Sequence, residues 1–207
     1  MKNLLCLGFV VLVLAATGCG PKVMVPPKID LAQHEVVGII TFRSSNEGLL
    51  GSYATGKFME AIRKDQHLVR IVEIGDQDDV LEEIESKELD REAFVKIGEE
   101  YDVATVINGE LVISDVRPDI TITPGGGFMD FSAEVDATMA VRLMETETGA
   151  SLWNSSAAAT RKVGGVSIFG KKHFAFNAKD PDHAYGELVR DLVRKASRDF
   201  QVTWERQ

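Results

Sequence analysis

VATVINGELVISD (Val103–Asp115) and the following VRPDITITPGGGFMDFSA (Val116–Ala133) decide how this chain folds. The first segment is rich in Val and Ile and reads as a core strand. The second extends it and turns back at Pro124-Gly125-Gly126-Gly127, residues that punctuate chains by supplying tight-turn geometry. EVDATMAVRLMETETGA (Glu134–Ala150) is the return strand, and SLWNSSAAATRK (Ser151–Lys162) runs antiparallel to it after the turn Glu147-Thr148-Gly149. A second excursion, VGGVSIFGKKHFAFN (Val163–Asn177), turns at Phe169–Lys172 and leads into a final helix.

The two excursions, near residues 116–133 and 162–177, share a pattern. Ile120 and Ile122 alternate with Asp119, Thr121 and Thr123, while Met129 and Phe131 alternate with Asp130 and Ser132. In the second, Val166 and Ile168 precede the turn, and Phe174 and Phe176 follow it. Each hairpin has one apolar and one polar face. That suits a half-buried strand and equally a barrel wall with lipid outside and water inside. The arms are about seven and six residues long, short of the roughly 9–11 that a membrane strand needs unless they borrow from the core strands.

Upstream, EVVGIITF (Glu35–Phe42) is a short β-rich run and reads as a buried strand. Leu49–Lys64 places Leu50, Tyr53, Ala54, Phe58, Ala61 and Ile62 at helical spacing. Leu68–Ile74 alternates as a second strand; Asp79–Glu85 and Leu89–Tyr101 read as helices, the latter capped by Asp90. Asp76-Gln77-Asp78-Asp79 is not a calcium loop, because Leu81 stands where such a loop requires Gly. Asp180-Pro181-Asp182 opens the last helix. Its stripe runs from Tyr185 to Phe200, with Trp204 expected to pack against whatever the helix covers. These elements make an α/β domain over residues 35–207: a small mixed sheet flanked by helices, a β-meander carrying two hairpin extensions, and a C-terminal helix.

The front of the chain has a different character. Met1-Lys2 is followed by the apolar run Leu4–Ala16, too short for a span of about 20 residues and fitted to a secretory signal over residues 1–18. Ala16-Thr17-Gly18-Cys19 resembles a bacterial lipobox, which makes Cys19 the lipidated residue; an ordinary signal peptide with an incidental cysteine is the alternative. The covalent lipid would then be the only attached group, with no other cofactor expected. Cys6 would leave with the signal, so no internal disulfide could form. Residues 19–34, with Pro21, Pro26 and Pro27, read as a short extended tether. By the sorting rule of bacterial lipoproteins, Gly20 in place of Asp directs the protein to the outer membrane, on its periplasmic face.

A formal net charge of −9 argues against a nucleic-acid partner, since phosphate binding needs clustered cations. His34, His67, His173 and His183 make no HExxH or CxxC-type pair, so no metal site is expected. Gly165-Val166-Ser167-Ile168-Phe169-Gly170 lacks the spacing of a nucleophile elbow, and Gly125-Gly126-Gly127 is not followed by Lys-Ser or Lys-Thr. A non-catalytic protein is expected.

The order of elements resembles the CsgG family of curli secretion channels, clearest in VATVINGELVISDV, AVRLMETETGASLWNSSAA and a terminal helix after a second hairpin. The resemblance implies an oligomeric secretion or assembly component, in which both hairpins of identical subunits become barrel strands. Ile120, Ile122, Met129, Phe131, Val166, Ile168, Phe174 and Phe176 would then face the membrane. Its implied partners are the bilayer through the lipid anchor, further copies of the chain, and secreted or envelope proteins. LpoB-type activators of penicillin-binding proteins resemble the same core, including a Thr-Gly turn before a strand with Trp; they imply an interaction module that regulates an envelope enzyme without a pore. The TolB amino-terminal domain is a more distant resemblance of similar architecture.

Overall fold

The computed structural model describes residues 21–66, 68–122, 129–164, 166–169, 173–176 and 180–206. Cys19 and the turn residues 123–128 and 170–172 lie outside them. The strands are β1 (Lys22–Val25), β2 (Val36–Ile40), β3 (Arg43–Ser44), β4 (Glu47–Gly48), β5 (Arg70–Gly75), β6 (Thr105–Ile122), β7 (Met129–Glu145), β8 (Ser151–Gly164), β9 (Val166–Phe169), β10 (His173–Phe176) and β11 (Thr203–Arg206). The helices are α1 (Leu50–Arg63), α2 (Gln77–Glu83), α3 (Arg91–Tyr101) and α4 (Pro181–Ala196).

The main sheet has the order β5-β2-β6-β7-β8, with β3 continuing the line of β2 along β6. β2 is parallel to both β5 and β6, whereas β6, β7 and β8 form an antiparallel meander. This is the expected mixed α/β sheet flanked by helices. Alternation along the strands sorts side chains to two faces. Val37, Ile39, Ile107, Leu111, Met139, Val141 and Leu143 meet α1 and α4 on one face. Ile40, Val106 and Met144 meet α2 and α3 on the other. The second cluster stops there. Beyond it Val112, Ala140, Leu152, Asn154, Ser156 and Ala158 stay exposed, so the meander half of the sheet is covered on one face only. A one-sided antiparallel sheet tolerates this.

Helix starts follow local chemistry. The Asp90 carboxylate accepts from the Ala93 N–H at 2.9 Å, and Asp180 accepts from His183 N–H at 3.2 Å with Pro181 next to it. α2 begins two residues before the expected Asp79, with Asp76 in extended conformation at its start. α1 has no side-chain cap; it is fixed instead by Thr55, whose Oγ1 accepts from Phe42 N–H at 2.7 Å and donates to the Gly51 carbonyl at 2.9 Å. A Cβ on Gly51 would stand 2.1 Å from the Phe42 carbonyl oxygen. Gly51→Ala is therefore expected to push α1 off the end of β2 and lose about 1–3 kcal/mol, read in urea denaturation; unchanged stability would show that the helix has room to shift.

The two ends of the described chain form a ribbon off this sheet. β1 pairs antiparallel with β11, so the segment expected to be a tether is bound back on the domain from Lys22 onward. Behind it the chain is clasped. Gln66 Nε2 donates to the carbonyls of Ile29 (2.9 Å) and Phe200 (2.8 Å), while its Oε1 accepts from Leu31 N–H at 2.8 Å. Lys28 and Ile29 N–H both donate to the Asp199 carbonyl. Trp204 does not pack under α4 as expected. The chain leaves α4 through a single 3-10 turn at Arg198–Phe200 and enters β11, which leaves Trp204 63 % exposed.

Candidate functional site: the strand extension

β6, β7 and β8 run 18, 17 and 14 residues, well beyond the five or six typical of a strand. The extension is built on a bulge. From Ile107 to Ile113, odd-numbered residues of β6 pair with odd-numbered residues of β7; the register then shifts, and Val116 pairs with Val135. Ser114 lies between Ile113 and Asp115, where the shift occurs, and its hydroxyl donates to the Asp136 carbonyl at 3.2 Å. One inserted residue exchanges the two faces of a strand. Without it, Asp115 and Arg117 would take the core parity. With it, Val116 stays half-buried against the core and the charges point away.

On the outward face Arg117 sits among three carboxylates. Its guanidinium donates to Glu134 (2.6 Å), to Asp136 (2.7 Å) and to Asp115. Thr160 Oγ1 on β8 donates to Asp136 at 2.5 Å, so the array crosses all three strands. The Arg117 contact, followed by that of Thr160, holds the Asp136 carboxyl below its usual range, and Arg117 is pushed up by its bonds to Asp136, Glu134 and Asp115. These groups are exposed, so the array is worth little in stability. Its effect is on character: this face is charged and wet.

The inward face is different. Ala133 and Val163 are cross-strand partners, both buried, and Val135 is buried with them. Arg161, paired to Val135, reaches Asp191 of α4, which Arg194 also binds at 2.7 Å. Asp191 is 9 % exposed and serves as the buried pin between β8 and α4. Past the Pro118–Ala133 row the described chain continues as paired strands. Ile120 is opposite Phe131 and Ile122 opposite Met129, in the strand parity of Ala133 and Val135. Pro118 suits a strand with a neighbour on one side only, since it cannot donate to a ladder.

The second group lies elsewhere. Val166 is opposite Phe176 and Ile168 opposite Phe174, in β9 and β10. β10 then pairs parallel with β4, which makes a three-stranded sheet separate from the first hairpin's. The structure thus brings the eight apolar residues together as two sets of cross-strand partners in two sheets. Sequence reasoning missed the Arg117 array. Its residues alternate in plain view, but only the register across the bulge joins them.

Two features bound the chemistry. Among the described residues β8 is an edge strand of the main sheet, with Lys195 Nζ donating to the Ala158 carbonyl at 2.5 Å and Arg161 Nη1 to the Thr160 carbonyl at 2.9 Å. Among the described residues, no group of three or more His, Cys, Asp or Glu side chains could hold a metal ion, and no helix is long and apolar enough to cross a membrane. The latter leaves strands out of account.

Asp199 ties the extension's foot to the N-terminal segment. Trp153 Nε1 of β8 donates to its carboxylate at 3.1 Å and Lys28 Nζ lies 3.0 Å away. The indole contact first, then Lys28, lower its pKa. A carboxylate depressed on folding stabilises the fold above its unfolded pKa of about 3.9 and loses that contribution as pH falls through the folded value. The stability gap between the wild type and Asp199→Asn, followed by thermal melting, is therefore expected to be widest near neutrality and to close below about pH 4. A gap independent of pH would count against the charge having this role.

No protein-family model matches the chain, and no curated protein does. Similar solved structures exist. The PelC dodecamer from Paraburkholderia phytofirmans is 14% identical at a TM-score of 0.45, covering 88% of this chain and 98% of that one. The LpoB C-terminal domain from Escherichia coli is 14% identical at a TM-score of 0.37, covering 64% and 88%. Lipoprotein GNA1162 from Neisseria meningitidis is 11% identical at a TM-score of 0.32, covering 61% and 83%.

Proposed function

We propose that this chain is a lipid-anchored protein of the bacterial envelope that acts by binding protein rather than by catalysis, using the strand extension to assemble. The observation that carries the reading is the meander itself: three long strands, one bare face and an open β8 edge. An unpaired edge offers backbone donors and acceptors to another chain. Natural domains keep such edges short, and β8, at 14 residues, is long. The bulge adds weight, because it keeps an apolar parity running past the helical layer instead of ending the strand. The outer membrane and its periplasmic face are the location that Cys19 followed by Gly20 supports.

The finer reading is an oligomeric secretion or assembly component of curli type, supported by the sequence resemblance and by strands that are long once the core portions are included. The alternative, an LpoB-like regulator of an envelope enzyme, is less well served by a chain that is bound back on its domain from Lys22, since reach across the periplasm needs a long free tether.

Extraction of the full chain in mild detergent, followed by mass measurement and bilayer conductance, separates these. Rings with conductance support the curli-type reading; rings without it leave an assembly scaffold. A monomer would overturn self-assembly. The anchor is read separately: Cys19→Ala is expected to abolish palmitate labelling completely, and labelling that persists would refute the assignment.

A further inference from the structure

The β1–β11 ribbon carries a surface that neither the sheet nor the helices explain. Its register sets Lys22 opposite Arg206 and Met24 opposite Trp204. Directly opposed residues share a face of an antiparallel pair, and residues two apart share it as well. Lys22, Met24, Trp204 and Arg206 therefore stand on one face, and all of them are exposed. Met24 is 56 % and Trp204 63 % exposed. On the other face Val25 and Thr203 are half-buried while Val23 and its partner Glu205 are exposed, so the Val25–Thr203 end of that face is the part that meets the domain.

We propose that the Lys22–Met24–Trp204–Arg206 face rests on an anionic lipid bilayer, with Trp204 and Met24 in the interfacial region and the two cations against lipid phosphates. Two observations point to lipid and not to protein. Tryptophan beside methionine and flanked by Lys and Arg, on a chain of net charge −9, is the composition of a membrane-interface contact. Chain continuity supplies the second: Lys22 follows Cys19 by three residues, a reach of about 10 Å at most. This last argument rests on the lipid-anchor reading; the first does not. The ribbon then works as a foot. The anchor supplies residence at the membrane, and the ribbon fixes which end of the domain meets it, which a short flexible link alone would leave free.

The test uses the two tryptophans. Trp153 is 9 % exposed and bonded to Asp199, so Trp204 is the one that lipid can reach. The full chain is reconstituted in vesicles of phosphatidylglycerol and bromine-labelled phosphatidylcholine, and the Trp204 emission is isolated by difference from Trp204→Phe. The bromine label is expected to quench most of it, and Lys22→Gln with Arg206→Gln to reduce that quenching at least about twofold. Emission that is unquenched overturns the proposal. So does emission shifted to the blue without quenching, because a protein surface would then cover the ribbon. Palmitate labelling of the same sample keeps the two readings apart: a labelled, unquenched protein is anchored without the foot, and a quenched, unlabelled one has the foot without the anchor.

Discussion

Phe200→Ala is expected to lower stability by about 3–5 kcal/mol, the range for removing a fully enclosed aromatic ring. Phe200 is 0 % exposed. Its ring centroid is 4.6 Å from Trp153 and 6.1 Å from Phe58, both edge-on, the geometry in which ring quadrupoles attract. It joins the last strand of the meander, the first helix and the C-terminal segment in one contact. Its carbonyl also accepts from Gln66, which holds Ile29 and Leu31. Losing the ring therefore loosens the clasp that positions β1 and β11. Against a total of about 5–15 kcal/mol for a domain, such a loss leaves little margin. Urea denaturation followed by circular dichroism measures it. Trp204→Ala is the control, expected to stay within about 0.5 kcal/mol because its ring lies on the surface. Equal effects of the two substitutions would mean that Phe200 is not the junction its burial indicates.

The contrast between these two aromatics shows what could be read in the sequence. Phe200 continues the apolar stripe of α4, and periodicity alone marked it as core. Trp204 reads as part of the same core because nothing in TWER or KVMV announces a strand pair; four residues are too few to show alternation. Pairing between positions 22 and 206 is a tertiary event. The long meander was legible for the opposite reason. Val103–Lys162 supplies enough alternating residues, with Gly149 at φ 66 in the turn, for three strands to be traced in order. The bulge at Ser114 was not. An alternation that changes parity looks, in sequence, like two strands meeting, so the extension could be read only as a separate arm added to a core strand. The second hairpin was legible as a hairpin, but its parallel partner β4 is two residues long and has no period to detect. Local patterns gave the elements; cross-strand register gave the surfaces.

That register makes the second large prediction possible. Replacing residues 119–132 by Asn-Gly joins Pro118 to Ala133, which are already cross-strand partners, through a two-residue turn of the type that antiparallel strands favour. The buried row of Ala133 and Val163 and the Arg161–Asp191 pin remain, so the domain is expected to melt within about 4 °C of the wild type, roughly the effect of 1 kcal/mol in a chain of this size. The detergent-extracted particle, in contrast, is expected to fall to the mass of one chain, because the shortened meander no longer carries an apolar parity past the helices. If the shortened protein fails to fold, Ile120→Asp with Phe131→Asp asks the same question, since these cross-strand partners lie beyond the buried row. A particle of unchanged mass in both variants would remove the projecting ribbon from the assembly surface. The β8 edge and the bare face of the meander, which neither change touches, would then have to carry it alone.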